Sequence, residues 1–186
     1  MLSSTLTQAP AVREPSWIAN LVLFQVGWWT LVLTAAHGQP GLGIGLVSLS
    51  LAWHLAVARA PLAEAALVGL TGVVGLVSDS LLLATGWVDF AGGALAGQLA
   101  PPWMVALWVN FALTLNVALR PLQARPLLAA GLGLIGGPAA YWGGAELGAM
   151  TFSNAPAALG ALAVEWAVLT PLLLALARAL DERSTS

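Results

Sequence analysis

The sequence predicts an all-α polytopic membrane bundle of six transmembrane helices with both termini cytoplasmic. Three observations predict it. Of 186 residues, 59% are hydrophobic and 8% charged, against about 25% charged in an ordinary soluble domain; so few charges cannot coat a water-facing surface. Six apolar segments, at 16–36, 40–58, 64–88, 102–120, 126–149 and 156–178, are separated by stretches rich in the residues that punctuate helices. The six basic residues, Arg13, Arg59, Arg120, Arg125, Arg178 and Arg183, fall before the first segment, between the second and third, between the fourth and fifth, or after the sixth. Positive charge is held on the cytoplasmic side, and an odd number of spans would split the arginines between two sides.

Residues 1–15 are polar with two prolines and read as a short disordered tail; residues 16–180 form one membrane domain, and 181–186 a polar tail. The first segment reads as a retained span, because its apolar core exceeds the usual 7–15 residues of a signal peptide. The third, 64–88, is apolar for about the 20 residues a bilayer core requires and carries Asp79 near its middle. Helical spacing aligns Gly72, Gly75, Asp79, Leu82 and Gly86 on one face, and a glycine face lets helices approach closely. Ala91 to Ala100 is too short to span and reads as a turn or interfacial piece. In the fifth segment, Gly131-Leu-Gly133-Leu-Ile-Gly136 has the form of a dinucleotide fingerprint, but no strand precedes it, so that reading fails its context test. Packing is the better account: Gly133 with Gly137, and Gly144 with Gly148, are small-residue pairs, and Pro138 should bend the helix. Of the nine tryptophans, Trp17, Trp87, Trp103 and Trp142 fall near predicted helix ends, where indole favours the interface.

Composition also excludes chemistry. Without cysteine there are no disulfides, thiolate nucleophiles or cysteine metal sites, and a net charge of −2 with no lysine argues against nucleic acid. No metal-ligand set or cofactor signature is present, so none is expected. The partners implied are membrane lipids, with a membrane protein or a second copy of the chain as a further partner.

With orientation assigned, polar residues acquire depths at about 1.5 Å per residue. Asp79 lies eight residues from Trp87, Asn110 eight from Pro102 and Glu165 nine from Pro156, each at the outer end of its segment. These three share a layer roughly 12–14 Å below the outer surface, with Tyr141 somewhat nearer that surface and Gln25 near mid-depth. A second layer toward the cytoplasm holds Asn20, His54 and Asn116. An acid at mid-membrane costs at least about 2.5–3.5 kcal/mol, which makes Asp79 and Glu165 the candidate catalytic pair. Two carboxyls in a low-dielectric site do not both ionise cheaply, which divides them into a base and an acid. Asn110, Tyr141 and Gln25 are candidates for substrate binding, and His54, Asn20 and Asn116 for a relay. The plainer alternative makes Asp79 protonated and hydrogen-bonded to Asn110 as a packing element between helices, and likewise the amides interhelical contacts. His54, lacking cysteines or nearby acids, reads as a hydrogen-bonded interior residue.

Asn20-Leu-Val-Leu-Phe24-Gln25-Val-Gly27-Trp28, Ser78-Asp79-Ser80-Leu81, Asn110-Phe111, Thr114-Leu115-Asn116 and Gly136-Gly137-Pro138-Ala-Ala-Tyr141 together resemble an uncharacterised bacterial inner-membrane family, domain of unknown function 2878. The resemblance covers residues 20 to about 171 and implies a small inner-membrane protein without supplying an activity. Members resembling this chain accompany genes of fatty-acid and lipid modification. Asp79-Ser-Leu-Leu-Leu also resembles a piece of the lysoplasmalogenase family, whose second, late aspartate is absent here; Glu165 would have to stand in for it. The best expectation is an intramembrane acid–base enzyme acting on a lipid or isoprenoid-like substrate. The alternatives are a small transporter or lipid flippase using the same acids as a proton relay, and a non-catalytic membrane subunit.

Overall fold

The computed structural model describes residues 16–184; the expected tail at 1–15 lies outside them. Six α-helices form the described chain: α1 (Trp17–Ala36), α2 (Pro40–Val57), α3 (Pro61–Ala84), α4 (Pro102–Ala112), α5 (Pro126–Glu146) and α6 (Ala155–Ser184). Four of them open on proline, whose fixed φ and missing N–H suit the first helical position. The first is capped instead by Ser16, whose hydroxyl accepts from the Ala19 amide at 3.1 Å. Helices α1, α2, α3 and α6 are long and apolar enough to cross a bilayer.

The fourth helix is shorter than the 102–120 expected. Its 11 residues reach about 16 Å, half of the roughly 30 Å hydrocarbon core. Turns follow from Leu113 to Leu119, then a 3-10 turn at Arg120–Leu122. Irregular backbone in an apolar segment needs its polar groups satisfied from within the protein, and two side-chain amides do so. Asn20 donates to the Leu113 carbonyl at 3.0 Å and accepts from the Ala118 amide at 3.3 Å, while Gln123 donates to the Leu115 carbonyl at 3.2 Å. Apolar composition alone cannot distinguish such a supported turn from a continuous helix.

The chain between α3 and α4 is not only a turn. Strand β1 (Val88–Phe90) pairs antiparallel with β2 (Met150–Phe152), in register about Asp89 and Thr151. This two-stranded sheet ties the far end of α3 to the turn between α5 and α6. Trp103 is not an interfacial anchor: it is 1% exposed, donates its indole N–H to the Ala91 carbonyl at 3.0 Å and meets Phe90 edge-on. Trp17 and Trp142 are exposed, as interfacial rings would be.

Glycine sets the closest helix contacts. A Cβ at Gly133 would strike the Trp166 backbone carbonyl and one at Gly137 the Trp166 ring, so α5 rides directly on α6. Gly75 on α3 lies against the Trp108 ring of α4, and Gly27 on α1 against the Asn110 side chain. The predicted face of α3 is buried at Gly72, Gly75, Asp79 and Leu82, whereas Gly86 lies beyond the helix, exposed, with φ +70°. The start of α1, the α2–α3 turn, the turn after α4 and the end of α6 meet at one end of the bundle, where Trp17, Arg59, Arg120 and Asp181 line a common cavity.

Candidate functional site

Asp79 is 1% exposed on the inward face of α3. Its carboxylate accepts from two aromatic donors on different helices: the Trp108 indole N–H of α4 at 2.8 Å, and the Tyr141 hydroxyl of α5. Buried tyrosine and tryptophan need an acceptor for their polar ends, and a buried carboxylate needs donors, so the three groups satisfy one another. The sheet explains the depth match. Asp79 and Tyr141 each lie ten residues before the paired Asp89 and Thr151, on helices that run toward the sheet, so clamping the strands levels the side chains.

Glu165 approaches the same group from α6. It lies against Ser78, next to Asp79 in the chain, and acts electrostatically on both Asp79 and Tyr141. Its Oε1 is buried without a hydrogen-bond partner. No hydrogen bond joins the two carboxyls among the described residues. The structure therefore brings Asp79, Tyr141 and Glu165 into one neighbourhood, with the acids beside each other rather than bonded.

The neighbourhood backs onto a cavity of about 460 Å³ between α1, α4, α5 and α6. Trp108 and Tyr141 line it, and neither acid does; the aromatic donors form the wall between Asp79 and the open space. Trp166 continues that wall, stacked on Trp108 with ring centroids 4.5 Å apart and edge-on to Phe111 at 5.2 Å. Gln25 lines the cavity from α1.

Asn110 sits elsewhere. Its amide donates to the Phe24 carbonyl at 2.9 Å and packs on Gly27, joining α4 to α1 outside the main cavity. Asn20 supports the turns after α4, as described. His54 and Asn116 converge on an acid that sequence reasoning passed over. Glu64 in the first turn of α3 accepts from Asn116 at 2.8 Å and meets His54 Nε2 at 3.0 Å, and Gln123 in turn donates to Asn116 at 2.9 Å. His54 thus has a carboxylate partner, contrary to its expected isolation from acids. The signal was legible: the short turn at Arg59–Pro61 folds α2 back on α3 and faces their adjoining ends. Trp108 left a signal too, since a tryptophan deep in an apolar segment usually finds an acceptor for its N–H. Among the described residues no group of three His, Asp or Glu side chains could hold a metal ion.

A family model described as a protein of unknown function, DUF2878, matches residues 17–172. No curated protein and no solved structure matches the chain.

Proposed function

The chain belongs to the DUF2878 family, and from that premise we propose an intramembrane acid–base enzyme of the bacterial inner membrane, acting on a lipid or isoprenoid-like substrate. It crosses the bilayer six times, with α4 and its following turns making the fourth passage and α5 the fifth. The arginine-bearing end faces the cytoplasm, following the retention of positive charge on that side.

One observation carries the chemistry: a tyrosine hydroxyl at the wall of an apolar cavity donates to a buried aspartate behind it. Asp79 draws the hydroxyl hydrogen inward, which leaves the phenol oxygen as an acceptor on the cavity side. A substrate proton passes to the Tyr141 oxygen as the tyrosine proton passes to Asp79, so the proton ends on the buried carboxyl, which becomes neutral, and the negative charge stays on the substrate. The product regains a proton from the Tyr141 hydroxyl as Asp79 returns its own to the phenol oxygen. Glu165, the second acid, sits beside Ser78 outside the cavity lining and acts on the pair electrostatically. Trp108 holds Asp79 in place through its indole N–H.

Expression in a bacterial host followed by mass spectrometry of the membrane lipids tests this. The wild-type chain should shift at least one lipid or isoprenoid species, and Asp79→Asn inserted at equal level should not. A folded Asp79→Asn protein with the wild-type profile removes the reading. A proton-coupled carrier is the second reading, favoured by the separate Glu64–His54 pair toward the arginine end, which would extend a relay. It requires pH-gradient-dependent flux in liposomes that fails in both Asp79→Asn and Glu64→Gln.

A further inference from the structure

We propose that the cavity selects single-chain amphiphiles whose polar end is uncharged and hydrogen-bonding, such as a long-chain or isoprenoid alcohol, and that Gln25 reads that end. The inference rests on the cavity being the substrate site and narrows the substrate class. Three observations carry it.

The opening faces hydrocarbon. Leu21, Trp29 and Leu132 line the cavity and are 41%, 47% and 46% exposed; Trp29 and Leu132 sit well inside their helices rather than at the ends, and Leu21 one turn in from the start of α1. The mouth therefore lies on the side of the bundle, between α1 and α5, and a ligand enters from the bilayer. Its volume of about 460 Å³ is in the lower half of the range of roughly 300–1,000 Å³ for small-ligand sites, a size that one hydrocarbon chain fills.

The lining holds no arginine, histidine or acid among the described residues. An ionised phosphate or carboxylate brought there would lose its hydration without gaining an opposite charge, a cost of several kcal/mol per ion in low-dielectric surroundings. An alcohol or carbonyl oxygen pays far less when hydrogen-bonded.

Gln25 supplies the hydrogen bonds. It is an exposed amide at the ninth position of the 20-residue α1, lines the cavity, and has no hydrogen-bond partner among the described residues. A primary amide offers two donors and an acceptor, and leaving them unmet within the hydrocarbon layer is unfavourable. A hydroxyl that both donates and accepts matches it, with the Tyr141 oxygen, from the same lining, as the second contact.

Equilibrium binding of radiolabelled hexadecanol and hexadecyl phosphate to the full chain in nanodiscs tests the selection without turnover. Hexadecanol should bind at least about tenfold more tightly, and Gln25→Leu should erase most of that preference while the protein's melting profile is unchanged. Gln25→Asn, which keeps the amide, should retain part of it. Equal or tighter binding of hexadecyl phosphate, or a preference that survives Gln25→Leu, overturns the proposal. Selective alcohol binding in a chain whose lipid profile ignores Asp79→Asn would leave this inference standing and remove the acid–base enzyme instead.

Discussion

Tyr141 of α5 donates its hydroxyl to Asp79 of α3, 62 residues earlier in the chain, and so closes a polar contact between helices from the two halves of the protein. The contact is buried on both sides, with Asp79 1% and Tyr141 5% exposed.

Removing either partner should cost stability as well as turnover. Tyr141→Phe leaves Asp79 with the Trp108 donor only, at a stability cost of about 1–3 kcal/mol. The same change should lower turnover by roughly 10²–10⁴-fold, the usual worth of a proton-transfer group. Asp79→Ala orphans two donors and opens a void, and should cost more, about 2–5 kcal/mol. Unfolding in mild detergent, alongside the lipid assay, checks both; equal stability of wild type and Asp79→Ala would contradict the buried contact.

Gly75→Ala reaches the acid through Trp108. The added methyl overlaps the indole ring, and a ring forced aside takes its N–H from Asp79. The expected loss is about 1–3 kcal/mol, with activity falling although no polar group has changed. Gly69→Ala on the same helix meets nothing within 4 Å and should be near neutral. Similar melting shifts for the two would sink the argument.

On α5, Gly133→Ala should be worse than Gly136→Ala. The first drives a methyl into the Trp166 carbonyl of α6, a backbone atom that cannot rotate away, while the second has open space. Thermal melts of the two variants should differ by the same order as an overpacked core, about 1–3 kcal/mol.

At the arginine end, Glu64 and His54 should be coupled. A double-mutant cycle of Glu64→Gln and His54→Ala is expected to return an interaction energy of about 0.5–2 kcal/mol, in the range for buried contacting groups. Additive losses would mean that the 3.0 Å approach contributes no specific energy.

Orientation is open to direct labelling because the chain has no cysteine. A membrane-impermeant maleimide should modify Gln98→Cys, at the sheet end, in intact spheroplasts, and Ser184→Cys only after permeabilisation; both positions are exposed. The reverse pattern would invert the proposed topology.

Much of the architecture is legible in the residues. Prolines at 40, 61, 102 and 126 begin helices, Gly133, Gly137 and Gly144 of α5 are packing contacts, and Asp79 stands out as an acid in an apolar segment. The fourth helix was not legible in full, because Leu113–Leu119 is largely apolar and its turns are supported by Asn20, from more than 90 residues earlier, together with the nearby Gln123. The strands β1 and β2 were hidden for a similar reason: each is three residues long and is stable only against the other, 60 residues away.

By itself the sequence determined the helical character of the chain, which side of α3 turns inward, and the alternation of its arginines, because each follows from local periodicity and from the cost of charge in hydrocarbon. Which groups meet Asp79 was decided only by tertiary structure. Depth along a helix is countable from residues, but direction around the bundle depends on how every neighbouring face packs. That packing sent Asn110 to the Phe24 carbonyl, gave Glu64 to His54, and set Trp108 and Tyr141 between the acid and the cavity.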